Sequence, residues 1–227
     1  MLIRVGIEAL GSGRVLAWGL DFPGCFAYGS DDAEALLRFA GNLLNFGAWI
    51  DLHTDEPWFR LGNVDFRLVE AYPGGCSSDK NRGDGSTAFF EDDIRPLQLE
   101  EIANALAVFR WQREELLAGL EFIPAESLDR KIPGEARTIR EVLLHIARTG
   151  LRYLNALDPG TPQLPDGLAH SPALEFSQAQ INARLPGLKE NPAMLEVNGE
   201  LWSCRKVVRR LLWHQRVQID AIKRLAG

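Results

Sequence analysis

The sequence predicts two domains in series: a small α+β domain of antiparallel sheet plus one helix, followed by an all-α four-helix bundle. Three observations carry that expectation. The apolar residues recur every second position near the start and at helical spacing from Leu97 to the end. The change falls on a stretch between Tyr72 and Pro96, with Pro73-Gly74-Gly75-Cys76-Ser77-Ser78 at its start, that neither a sheet nor a helix would choose. The last helical stretch, finally, is strongly amphipathic and yet holds polar groups on its apolar side. Val207, Leu211, Ile222 and Leu225 gather on one face at about 100° per residue, and His214 and Gln218, one turn apart, fall inside that stripe. Burying an imidazole and an amide without partners costs roughly 1–3 kcal/mol each, so the interior has to satisfy them. The expected boundaries are residues 1–72 for the α+β domain, 73–96 for the linker and 97–227 for the bundle.

In chain order, Ile3, Val5 and Ile7 alternate with Arg4 and Glu8, the period of a half-buried strand. Gly11-Ser12-Gly13 turns the chain into a second strand, Arg14 to Leu20, and Phe26-Ala27-Tyr28 follows Asp21-Phe22-Pro23-Gly24-Cys25. Asp31 and Glu34 form a helix-opening capping box, and Leu36, Ala40, Leu43 and Gly47 trace the face expected to lie on the sheet. Val64, Phe66 and Leu68 alternate as a closing strand. Past the linker, whose far end Phe89 and Phe90 are expected to tie to the second domain, Leu99, Ile102, Leu106, Phe109, Leu117 and Leu120 mark a long helix with Arg113 in its stripe. A buried Arg needs an acidic partner, so Arg113 is either internally paired or a weak candidate for an anion. Thr138 and Glu141 cap a second helix with the face Ile139, Val142, Leu143, Ile146, Tyr153, Leu154 and Leu157, and His145 lies on its edge. Asp158-Pro159-Gly160 stops it. A third helix is expected from a Ser171-Pro172 start to about Leu185, then a loop or short hairpin around Asn198-Gly199, and a fourth helix capped by Ser203.

Composition excludes several classes of function. With 46% hydrophobic and 25% charged residues the chain is an ordinary globular one. The charge-free run Phe39 to Ile50 is too short to span a membrane. The first residues mix charges into their apolar run, unlike a signal peptide, and a cytoplasmic location is expected. Cys25, Cys76 and Cys204 have neither disulfide-framework nor zinc-ribbon spacing. A net charge of −6 argues against nucleic-acid partners. The last helix departs from that balance, with seven basic residues against Asp220 between Leu201 and Gly227. A solvated outer face or an anionic partner accounts for such a run.

Asp21-Phe22-Pro23-Gly24-Cys25-Phe26-Ala27-Tyr28-Gly29-Ser30-Asp31-Asp32-Ala33-Glu34-Ala35-Leu36 resembles the HicB-like antitoxin domain, over roughly residues 1–70. That resemblance implies a module that binds a protein partner. No helix-turn-helix or ribbon-helix-helix pattern follows it. The second domain resembles the DinB superfamily (DinB/YfiT-like) over residues 97–227, through Arg140-Glu141-Val142-Leu143-Leu144-His145-Ile146-Ala147 and the helix from Trp202 to His214. What this second resemblance implies is a four-helix bundle, often a homodimer through the helices. It also implies a divalent transition metal (zinc, nickel, iron or manganese) on one His of helix two and a His-x-x-x-His pair of helix four, and thiol-dependent transfer or isomerisation.

The matching metal positions are His145, His214 and Gln218, and the last departs from the family pattern. An amide carbonyl is a weaker ligand for a borderline metal than an imidazole, although at i+4 from His214 it points to the same spot. Two readings follow. In one, a metal on His145 and His214 holds and deprotonates a small thiol or a water. In the other, the three residues satisfy one another without metal, the HicB-like domain engages a protein partner and the bundle serves dimerisation or ligand sensing. His53 and His170, in expected loops, are read as incidental.

Overall fold

The computed structural model describes residues 1–56, 58, 64–73, 86–190 and 194–227. Residues 74–85 of the expected linker, Cys76 among them, lie outside the described residues. The chain forms two compact units, Met1–Arg95 and Pro96–Gly227, each built by the local rules of its own sequence.

In the first unit, strands β1 (Leu2–Ala9), β2 (Val15–Gly19) and β3 (Phe26–Gly29) precede helix α1 (Asp32–Asp51) and strand β4 (Asp65–Tyr72), in the sheet order β3-β2-β1-β4. The tight turns make β1, β2 and β3 antiparallel, but β4 lies parallel to β1. The sheet is therefore mixed, and the antiparallel expectation is corrected. Two hairpins return β3 to the direction of β1, and a helical crossover re-enters the sheet in the direction of the strand it left.

Asp31 caps α1 by accepting from the Glu34 N–H, while Glu34 reaches back to Ser30. The face α1 buries is Ala35, Phe39, Leu43, Gly47 and Ile50, so the expected stripe is rotated by about one residue at its start.

Glu8, expected on a solvated face, is fully buried. Its carboxylate accepts from Trp18 Nε1 (3.0 Å), Ser86 Oγ (2.8 Å) and the backbone N–H groups of Thr87 (2.6 Å) and Ala88 (2.9 Å). Three of those four bonds hold residues 86–88 to β1, and the fourth ties β1 to Trp18 of β2. Phe90, also buried, packs over Gly6 and against Tyr72. A Cβ at Gly6 would come within 2.8 Å of the Phe90 ring, which is why glycine stands there. Phe90 is thus a core residue of the first unit.

The second unit contains helices α2 (Leu99–Leu120), α3 (Ile139–Asn155), α4 (His170–Arg184) and α5 (Cys204–Ala226). The short hairpin of β5 (Leu195–Val197) and β6 (Glu200–Trp202) precedes α5. It turns at Asn198 and Gly199, both at positive φ, as an Asn-Gly pair favours. The Thr138/Glu141 capping box opens α3, and Ser203 caps α5 by accepting from the Lys206 N–H.

Helix α4 begins at His170 with Ala169 at its N-cap position and no side-chain capping bond, two residues earlier than the Ser171-Pro172 start suggested. On α2 the buried residues are Ile102, Ala105, Val108, Phe109, Trp111, Gln112, Arg113 and Leu116, while Leu99 and Leu117 are exposed. Helix α3 packs on α4 and α5, and α2 on α5. The apolar core gathers Leu116, Ile139, Leu143, Ile146, Leu174, Ile219 and Ile222. Among the described residues no helix is long and apolar enough to cross a membrane.

Candidate functional site

The packing of α3 on α5 places His145 against His214. His145 lies six residues into α3, on the edge of its buried face, and His214 lies in the middle of α5. Their Nε2 atoms are 3.1 Å apart and the rings meet edge-on, with centroids 4.9 Å apart. His145 Nδ1 is 3.3 Å from the Thr149 hydroxyl one turn along α3. Tyr153, one turn further, presents its ring to His214 at 5.9 Å and accepts at its hydroxyl from Arg210 (3.2 Å).

A hydrogen bond between two neutral Nε2 atoms requires one ring to carry its proton there and the other on Nδ1. Neutral rings are what this environment favours. Burial, followed by the positive charges of Arg137, Arg152 and Arg148, pushes His145 down to about 4. Burial, with His145, Arg210, Arg152 and Arg137, pushes His214 well below the usual imidazole range.

Whether such a pair suits a metal is decided by its surroundings. Imidazole nitrogens bound to zinc at about 2.0–2.1 Å in a tetrahedron stand roughly 3.3 Å apart, so the 3.1 Å separation alone fits either a metal edge or a hydrogen bond. A cation needs more than that. Among the described residues no three His, Cys, Asp or Glu side chains cluster to hold one. The four arginines that oppose ring protonation oppose a divalent cation by the same sign of field. Gln218 is half-buried one turn beyond His214 and makes no hydrogen bond to either ring among the described residues.

The amide that α5 contributes to the interior network is Gln215, which the sequence reading passed over. Arg113, 5% exposed, donates through Nε (3.0 Å) and Nη2 (2.7 Å) to Gln215 Oε1 and through Nη1 to the Leu174 carbonyl (2.9 Å). Gln215 in turn donates to the Phe109 carbonyl (2.8 Å) and the Gln112 amide oxygen (3.3 Å). The expected acidic partner of Arg113 is absent among the described residues. Neutral acceptors take its place, and burial lowers Arg113 to about 10. A signal existed in the sequence: Gln215 follows Leu211 by four and precedes Ile222 by seven, the spacing of the same buried stripe.

The basic residues of α5 are not a solvated face. Arg205, Lys206, Arg209 and Arg210 are all buried. Arg205 pairs with Glu101 (2.8 Å) and Lys206 with Glu200 (2.9 Å), and burial draws Lys206 down to about 8 against the pull of Glu200. Only the later part of the helix behaves as expected, with Lys223 exposed and joined with Arg216 to Glu115. Of the remaining histidines, His53 bonds the Trp49 carbonyl in the first unit. His170, on α4 rather than in a loop, meets Arg140 at 2.9 Å.

The DinB family model matches residues 98–185, a stretch that contains α2, α3 and α4 and therefore His145, but ends before His214 and Gln218. No curated protein and no solved structure matches the chain.

Proposed function

We propose that the second unit is a DinB-type four-helix bundle whose core histidines form a metal-free hydrogen-bonded pair, and that the protein is a non-catalytic binding protein. In this reading the bundle is a ligand-sensing body and the HicB-like first domain, residues 1–72, engages a protein partner. The observation that carries it is the His145–His214 contact. Two neutral imidazoles face each other at 3.1 Å inside a ring of guanidinium charge, with no third metal-binding side chain beside them among the described residues. An open metal site generates a thiolate or hydroxide by offering positive charge from the ion. Here positive charge is already supplied by arginines, and the imidazole lone pair needed for ligation is engaged in a hydrogen bond.

Elemental analysis of the protein as purified, repeated after incubation with zinc, nickel and manganese, tests this. The expected result is no bound metal above background in either preparation. Near-stoichiometric metal that disappears in His214→Ala would overturn it and restore the metal-dependent, thiol-using enzyme with His145, His214 and Gln218 as ligands.

A further inference from the structure

The second half of α3 and the connection after it line a half-open pocket of ≈ 320 Å³ formed by Arg148, Leu151, Arg152, Asn155, Thr161 to Leu164 and Asp166. That volume is at the lower end of small-molecule pockets. Its chemistry is divided. Arg148 and Arg152, one helical turn apart and both exposed, bring two guanidiniums to the same wall, and Asn155 and Gln163 add neutral hydrogen-bonding groups. Leu151, Pro162 and Leu164 supply an apolar floor. Asp166 is the one acid of the lining, so the wall carries two positive charges against one negative, a net of +1.

Among the described residues neither arginine is spent on an ion pair. Arg152 lies 5.5 Å over the Tyr153 ring, and no carboxylate within salt-bridge reach accompanies either side chain among the described residues. Elsewhere in the second unit arginines are engaged: Arg140 with Asp129, Arg184 with Asp158, Arg205 with Glu101 and Arg216 with Glu115. A second feature is independent of the charges. Thr161, 6% exposed and part of the lining, has a buried hydroxyl without a hydrogen-bond partner among the described residues, a group that a folded interior rarely leaves unsatisfied.

We propose that this pocket binds a small organic anion, a phosphate monoester or carboxylate with a compact apolar body. Arg148 and Arg152 take the anionic oxygens, and Leu151, Pro162 and Leu164 take the body. Planar guanidiniums match the oxygens of such groups in paired hydrogen bonds, and the apolar floor excludes a bare inorganic ion as the best occupant. Asp166 at the lining favours a ligand with a hydroxyl or ammonium donor away from its anionic end. The proposal rests on the ligand-sensing reading of the bundle and names the class of ligand sensed.

Isothermal titration of the full-length protein with phenyl phosphate, with phenol and inorganic phosphate as controls and EDTA present throughout, tests it. Saturable binding of phenyl phosphate is expected, with phenol silent and inorganic phosphate weaker. Arg148→Gln and Arg152→Gln should each weaken binding about tenfold or more, as the loss of a hydrogen bond to a charged group implies. Both side chains are exposed, so the variants should fold, and an unchanged circular dichroism spectrum checks that they do. Absence of saturable binding, or binding indifferent to both substitutions, overturns the proposal while leaving the metal-free histidine pair standing. Binding that appears only when EDTA is replaced by a transition metal overturns both, because the anion is then held by an ion.

Discussion

Glu8 in the first unit and Arg113 in the second are both charged, both buried, and both satisfied by neutral groups rather than by an opposite charge. They differ in completeness. The two oxygens of Glu8 accept four hydrogen bonds, about the capacity of a carboxylate, from an indole, a hydroxyl and two backbone N–H groups. Arg113 has five N–H groups and makes three bonds, two of them to the single oxygen of Gln215. A carboxylate can be saturated by one short run of backbone, so Glu8 ties a distant piece of chain to its sheet. A guanidinium needs acceptors spread in a plane, so Arg113 draws on α4 and α5 at once and depends heavily on one amide.

That difference sets the sizes of the expected effects. Gln215→Leu removes two of the three bonds to a buried cation, and leaving such a charge uncompensated costs about 3–5 kcal/mol. Chemical denaturation should show the loss in the unfolding transition of the second unit, and a loss below 1 kcal/mol would mean that Arg113 finds other acceptors. Glu8→Leu orphans four donors, but those of residues 86–88 can turn to water if the segment lifts away. The expected cost is therefore smaller, about 2–3 kcal/mol from the desolvated groups that stay inside. Amide exchange at Thr87 and Ala88 should accelerate strongly in the same variant, and unchanged protection there would contradict the role assigned to Glu8.

Much of this was legible in the sequence where a local rule had no competitor. The Thr138/Glu141 box and the Ser203 cap mark the starts of α3 and α5, and the apolar stripe of α5 brings His214 to the interior, where it meets His145. What was not legible depended on packing from several sides. Stepping around α5 separates Arg205 and Arg209 from its apolar face, but the helix is enclosed over most of its first half and those arginines are buried as well. Hydrophobic alternation in β4 reads the same whether its neighbour runs parallel or antiparallel, so the mixed sheet followed only from the crossover through α1. Gln215 and Gln218 both lie near the stripe. The network chose Gln215 because Arg113, Phe109 and Gln112 on α2 face it, a partnership between residues about a hundred positions apart.

The central claim, a neutral and metal-free His145–His214 hydrogen bond, is tested most directly by long-range 1H–15N NMR of the imidazole rings across a pH titration. Two neutral rings in opposite tautomers are expected at pH 7, one with its proton on Nε2 and the other on Nδ1, unchanged by EDTA. His145 should remain neutral until pH falls to about 4. Because an unfolded histidine takes up its proton near 6.5, the unfolded chain binds more protons between those limits, and stability should decline as pH falls from about 6.5 toward 4. Two rings that both carry the proton on Nδ1, with metal-shifted Nε2 signals that revert on chelation, would contradict the account.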